Sequence, residues 1–278
     1  MKSTLLKRTA SGALFLCLMV GGLLLSEYAY LAIMLFVLCG ATVEFYRMTS
    51  PGRFRKEKLC IYCAVSAFYI LAFCCRRFGI QAGWMALAFL PVLLSFILLI
   101  YDCKDDYEFN SALYMPLPYI MLPVVSTLLL VYPAEGVYTP WIILSVFFMV
   151  WMNDVGAYCL GMAFGQRPGS RKLFPEISPK KSWIGAVGGT MFTLATAVAI
   201  CFIYGRQYLP LWCWIAIAAA VATVGVYGDL FESLIKRHAN VKDSGNVIPG
   251  HGGVMDRFDD VLFVMPVVAI ILIIKSLI

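Results

Sequence analysis

Asp229, Glu232, Ser233, Lys236 and Arg237, then Lys242 and Asp243, then Gly250-His251-Gly252-Gly253 and Asp256-Arg257-Phe258-Asp259-Asp260, put ten charged residues into 32 positions. Strongly apolar sequence flanks the stretch on both sides. Charge beside a bilayer costs free energy and marks function. Carboxylates supply the hard oxygen ligands that suit Mg²⁺, an ion that keeps waters and shares substrate phosphates. Lysine and arginine neutralise phosphate, and a glycine turn ahead of a helix exposes N–H groups to an anion. The combination suits a divalent cation and a polyphosphate. Two histidines, His238 and His251, are too few for a histidine-built metal site.

These side chains need helices to aim them. At about 100° per residue, Asp229, Glu232, Ser233, Lys236 and Arg237 share one helix face, with Leu230, Phe231, Leu234 and Ile235 on the rest. A charged helix end with a Glu232–Lys236 pair explains part of this. Asp229, deepest in apolar sequence, exceeds that explanation. Asp256 and Asp259 stand three apart on the opening turns of the last helix, with Asp260 beside them. One acid would complement the helix dipole; three around Arg257 are more than it needs. Ser178-Pro179-Lys180-Lys181-Ser182-Trp183 opens another apolar run, either as a phosphate-neutralising pair or as a basic anchor with an interfacial Trp. Asp154, after Asn153, lies inside a further run. A central Asp costs roughly 2.5–3.5 kcal/mol on insertion scales, so either it faces a polar cavity, the favoured reading, or it lies nearer the inner surface than the run suggests. Glu44, near Arg47, reads as structural, and Lys104-Asp105-Asp106 as a solvated loop.

The 278 residues are 62% hydrophobic with mean hydropathy +0.84, and 14% are charged, against about 25% in soluble domains. The apolar runs are continuous rather than alternating, which selects helices over a barrel. The expected fold is an all-α integral membrane protein with about nine transmembrane helices in one bundle, near 10–26, 28–46, 59–75, 82–101, 113–132, 140–161, 184–204, 211–230 and 260–277. Residues 1–140 supply N-terminal helices and 141–278 the helices that carry the site. Lys2, Lys7 and Arg8 before Gly12–Leu25 read as a retained signal anchor. Most of the ten cysteines sit in apolar runs and read as packing residues. With the N-terminus inside, Arg76, Arg77, Arg206 and Lys275 are the outer exceptions among 22 basic residues. That asymmetry places the N-terminus and the charged stretch on the cytoplasmic side. No basic–aromatic run suits nucleic acid. An ion-coupled transporter using Asp154 and Asp229 is the rival from another class, although no inverted repeat is present.

Ser233-x-x-Lys236-Arg237, Lys242-Asp243-x-Gly245 and Pro249-x-His251-Gly252-Gly253-x-x-Asp256-Arg257-x-Asp259 resemble the signature of the phosphatidate cytidylyltransferases, or CDP-diacylglycerol synthases. Gly228-Asp229, Asn153-Asp154 through Gly165, and Ser178 through Trp183 are also similar to that family. The resemblance covers roughly residues 150–278; the first 140 match as generic apolar spans. One position departs: Ile184 stands where the family pattern has Glu. The resemblance implies Mg²⁺-dependent condensation of CTP with phosphatidate, giving CDP-diacylglycerol and pyrophosphate, with a second cation left open. It implies a homodimer in a bacterial-type inner membrane, with the site facing the cytoplasm. By motif position, Asp229 and Asp256 are the metal carboxylates, a ranking above Asp259 that spacing alone does not give. Asp259 would be a further ligand or support one. Lys180, Lys181, Lys236, Arg237, Lys242 and Arg257 would share the phosphates, and Asp243 would orient Lys242. Ser178, Ser182 and Ser233 fall at substrate-binding positions. His251 and the Gly252-Gly253 amides would contact the triphosphate or hold the loop's shape. The Asp-Gly-x-x-Ala-Arg pattern of CDP-alcohol phosphotransferases is missing; a polyprenol-type lipid kinase stays open as an alternative.

Overall fold

The structure, a computed structural model, describes residues 2–102, 110–167, 169–247 and 252–278. Eight helices among them are long and apolar enough to cross a membrane: Glu27–Thr49, Arg55–Phe78, Ala82–Tyr101, Ser111–Val131, Trp141–Ala163, Trp183–Ile203, Leu211–His238 and Met255–Leu277. A shorter apolar helix, Ser11–Leu25, precedes them. Each of the nine expected runs therefore holds a helix. In hydrocarbon the backbone must pair within its own segment, and a helix does so. The chain forms two compact units, Met1–Pro140 with His238–Phe258, and Trp141–Arg237 with Asp259–Ile278.

The first unit contains α1 (Lys2–Leu25), α2 (Glu27–Thr49), α3 (Arg55–Phe78), a 3₁₀ segment (Ala82–Phe89) leading into α4 (Leu90–Asp102), α5 (Asn110–Tyr114), a π-helical turn (Leu117–Met121) and α6 (Leu122–Val131). Ser26 caps α2, its hydroxyl accepting from the Ala29 amide at 3.1 Å. Gly79 ends α3 at φ 65°, a left-handed conformation that glycine adopts without strain. These two helix ends meet. Arg77 Nε donates to Glu27 Oε1 at 2.6 Å, the Tyr132 hydroxyl donates to Glu27 Oε2 at 2.9 Å, and Arg76 donates to the Tyr132 carbonyl. The two arginines that fit the charge asymmetry worst are thus tied to one end of this unit.

The second unit contains α7 (Trp141–Ala163), strands β1 (Lys172–Phe174) and β2 (Ser178–Ser182), α8 (Trp183–Ile203), α9 (Leu211–Ala220), a π-helical turn (Val221–Gly225), α10 (Val226–His238) and α11 (Met255–Leu277) from Asp259 onward. Helices α7 and α8 touch through glycine. A Cβ on Gly156 would lie 2.6 Å from the Gly188 carbonyl oxygen, and one on Gly188 would lie 2.7 Å from that of Gly156. Small residues permit this approach inside a membrane. The antiparallel β1–β2 ribbon pairs Lys172 with Ser182 and Phe174 with Ser178. Pro179 disfavours helix at Ser178, so the chain stays extended until Ser182, whose hydroxyl accepts from the Gly185 amide at 3.2 Å and caps α8.

Candidate active site

Helix α10 carries the charged stripe, and the π-helical turn before it is a feature common at functional sites. Gly228 sets its distance from α11. A Cβ there would overlap the Asp259 carbonyl and lie 3.1 Å from Asp260 Cα. This close approach brings Asp229 beside Asp259. Asp229, Glu232 and Asp259 each offer one carboxylate oxygen, all within 4.8 Å of one another. Glu232 is fully buried, and the other two are half-buried. Three anions this close repel unless cations answer them. Lys181, from β2, pairs with Asp229 Oδ2, and Lys236 pairs with Glu232 Oε2 one helical turn away. The Ser233 hydroxyl donates to Asp229 Oδ1 at 3.2 Å.

A cavity of about 100 Å³ adjoins this cluster, its polar wall made by Asn153, Asp154, Lys180, Lys181, Asp229 and Asp260. Gly161, Gly185 and Ala186 line it too, so small residues of the α7–α8 seam leave the room that the charged groups occupy. Asp154 lines this cavity and is itself exposed. Asn153 is buried and accepts from the Thr193 hydroxyl at 3.3 Å. The Lys181 and Asp229 side chains are 29% and 30% exposed on the protein.

In the first unit, the start of α11 forms a second carboxylate cluster. Asp256 Oδ2 accepts from the Gly253 amide at 2.8 Å and the Ser244 amide at 2.9 Å, with the Ser244 hydroxyl at 3.0 Å. That hydroxyl also lies 2.8 Å from Glu44 Oε2, and its single proton serves both carboxylates. Glu44 accepts from the Val254 amide at 2.8 Å and the Met255 amide at 2.9 Å. The backbone donors at the start of this helix are engaged by the protein's own acids. Of the two roles open to the Gly252-Gly253 amides, the Gly253 amide is seen holding the loop.

The remaining sequence candidates fall as follows. Lys180 is exposed in the middle of β2 and Arg237 at the end of α10, Ser178 is half-buried, and Ser182 is buried as the α8 cap. Lys242, Asp243 and Arg257 are exposed in the first unit. His251 and the Lys104-Asp105-Asp106 loop lie outside the described residues. Ile184 is 38% exposed on the first turn of α8. Sequence reasoning gave Glu232 only a helix-end pairing, although its place one turn from Asp229 on the same face was a usable signal. It gave Glu44 no part in the signature loop, and no local pattern connects residues 200 positions apart.

The cytidylyltransferase family profile matches residues 6–275. A phosphatidate cytidylyltransferase of Staphylococcus saprophyticus is 38% identical over 184 residues, 66% of this chain and 68% of the relative. One of Staphylococcus haemolyticus is 35% identical over 184 residues with the same coverage. One of Bacillus subtilis is 45% identical over 118 residues, 42% of each chain. With nearly its whole length matched, this chain belongs to the cytidylyltransferase family.

Proposed function

We propose that this protein is a phosphatidate cytidylyltransferase, joining CTP and phosphatidate into CDP-diacylglycerol and pyrophosphate. The observation that carries this reading is the Asp229–Glu232–Asp259 group, answered by Lys181 and Lys236, on helices long and apolar enough to span a membrane. Family membership supports it and leaves the transporter and lipid-kinase alternatives without support.

The donor set fits Mg²⁺: three hard carboxylate oxygens gathered within 4.8 Å, with no soft or imidazole ligand required. Asp229, Glu232 and Asp259 would hold the ion, and the family resemblance adds Asp256. Bound Mg²⁺ would polarise the phosphates of CTP and neutralise charge developing on pyrophosphate. An oxygen of the phosphatidate phosphate is already an anionic nucleophile, so no general base is needed. It bonds to the α-phosphorus of CTP while the bond from that phosphorus to the bridging oxygen of pyrophosphate breaks. The obstacle is repulsion between two polyanions. Lys180 and Lys181 on β2 and Lys236 and Arg237 on α10 supply positive charge against it, as do Lys242 and Arg257 by motif. Glu232 holds Lys236 and Asp229 holds Lys181, so each ammonium is aimed before substrate arrives. The lipid tails stay in the bilayer while the head group reaches the charged ends of the helices.

The Lys/Arg asymmetry supports a cytoplasmic N-terminus and site, and the family resemblance supports a homodimer in a bacterial-type inner membrane. The test is purified protein with radiolabelled CTP and phosphatidate, with and without Mg²⁺. Labelled CDP-diacylglycerol should form only when all three are present. Turnover that persists in a chelator would remove the cation from the reading. Label passing from γ-labelled CTP to a lipid alcohol, with no product from phosphatidate and α-labelled CTP, would replace the reaction itself.

A further inference from the structure

Glu44 sits on α2, is 1% exposed, and lies 200 residues from Ser244. A carboxylate this buried is costly unless donors surround it. Here three do: the Val254 amide on Oε1, and the Met255 amide and Ser244 hydroxyl on Oε2. The first two belong to the opening of α11, where unsatisfied N–H groups and the helix dipole favour an anion. Helices are ordinarily capped from their own N-terminal residues. This helix takes the acid from a distant one, and the same Ser244 hydroxyl reaches on to Asp256 Oδ2.

Two glycines of the signature have their physical reason in Glu44. A Cβ on Gly253 would lie 2.5 Å from Glu44 Oε1, and one on Gly245 would lie 2.9 Å from Glu44 Cδ. Gly252, at φ 87°, would set a Cβ 2.5 Å from Asp256 Oδ2. The signature loop is a socket: Glu44 fills it from one side, and Asp256 is hydrogen-bonded within it.

We infer that Glu44 is a positioning residue for the transfer reaction, holding the Gly252-Gly253 turn and the first turn of α11 so that the Asp256 carboxylate is fixed in place. Its donors specify the chemistry. Glutamine has the same shape, but whichever way it is turned its NH₂ would confront a backbone amide, which can only donate. Aspartate keeps the charge but is one methylene short of the Val254 and Met255 amides.

The inference rests on the proposed reaction for its kinetic part only, and the test separates the two. Glu44→Gln, Asp256→Asn and the double variant would be purified in detergent beside the unaltered protein. Hydrogen exchange in peptides covering residues 252–258 needs no turnover. It should speed up by about tenfold or more in Glu44→Gln, because one of the Val254 and Met255 amides loses its acceptor. In the kinetic arm, kcat should fall about 10- to 100-fold with both KM values within about twofold, the scale seen when a support behind a ligand is removed. Glu44→Gln should cost nothing more in the Asp256→Asn background, since both changes act through one group. Unchanged exchange, or equal losses from Glu44→Gln in both backgrounds, would overturn the inference. An unaltered protein inactive on CTP and phosphatidate would overturn the proposed reaction, and the exchange arm would still decide whether Glu44 holds the loop.

Discussion

The two carboxylate clusters differ in the donors seen around Glu44 and around Asp229. Glu44 and Asp256 are held by backbone amides and one serine hydroxyl. Those donors carry no net charge, are fixed by the fold, and cannot leave. Asp229 and Glu232 are held by Lys181 and Lys236, full charges on flexible four-carbon stems that can be re-aimed. A cation held by the carboxylates, as proposed, would leave the lysines available to a phosphate. The first cluster is built to keep a shape and the second to exchange partners. Both use acidic residues beside apolar sequence, so residue type alone does not separate them.

Removing an exchangeable acid should have the largest effect. Asp229→Asn deletes one of three clustered oxygen ligands and leaves Lys181 without its partner. Turnover should fall by about 10²–10³-fold, the scale of losing one electrostatic contact to the transition state. Binding of Mn²⁺, followed by its paramagnetic signal without substrate, should weaken in parallel. Near-normal turnover with a normal melting profile would remove Asp229 from the cation site.

The held cluster should break differently, through stability. Gly253→Ala puts a methyl group against Glu44 and Ser244 where no room exists. Overpacking of this kind costs about 1–3 kcal/mol, which thermal unfolding in detergent would register as a lower Tm. Gly83→Ala is the control, because nothing lies within 4 Å of its Cβ position and its φ is ordinary. Equal Tm values for the two variants would mean that the socket tolerates a side chain and that shape is not its purpose.

The spans were legible in the sequence because each is a local property, a run of about 20 apolar residues with punctuation at its ends. The stripe on α10 was legible for the same reason, since a period of 3.6 residues places Asp229, Glu232, Ser233 and Lys236 on one face. What the stripe faces was not legible. The approach of Asp259 depends on Gly228 meeting the α11 backbone, and a glycine in an apolar run carries no label for its neighbour. Ser178–Ser182 was expected at a helix opening and is a strand, because Pro179 and the cap at Ser182 outweigh the apolar run that follows. Glu44 was least legible. Its partners come from the far end of the chain, and only the fold brings them together.

The smallest effect sharpens the contrast most. The Lys181–Asp229 pair is about one-third exposed on both sides, so it contributes little to stability, and Lys181→Ala should melt close to the unaltered protein. Losing a charge-assisted contact to phosphate costs roughly 1.5–3 kcal/mol of binding. KM for CTP or for phosphatidate should therefore rise about tenfold or more, with kcat changed far less. Lys181→Arg, which keeps the charge on a planar head, should fall between the two. The signature is opposite to that expected of Glu44→Gln, where kcat moves and KM does not. If Lys181→Ala lowered kcat while both KM values held, the lysine would be acting on the transition state or the carboxylates rather than on bound substrate. The division between a fixed cluster and an exchangeable one would then have to be redrawn around Asp229 itself.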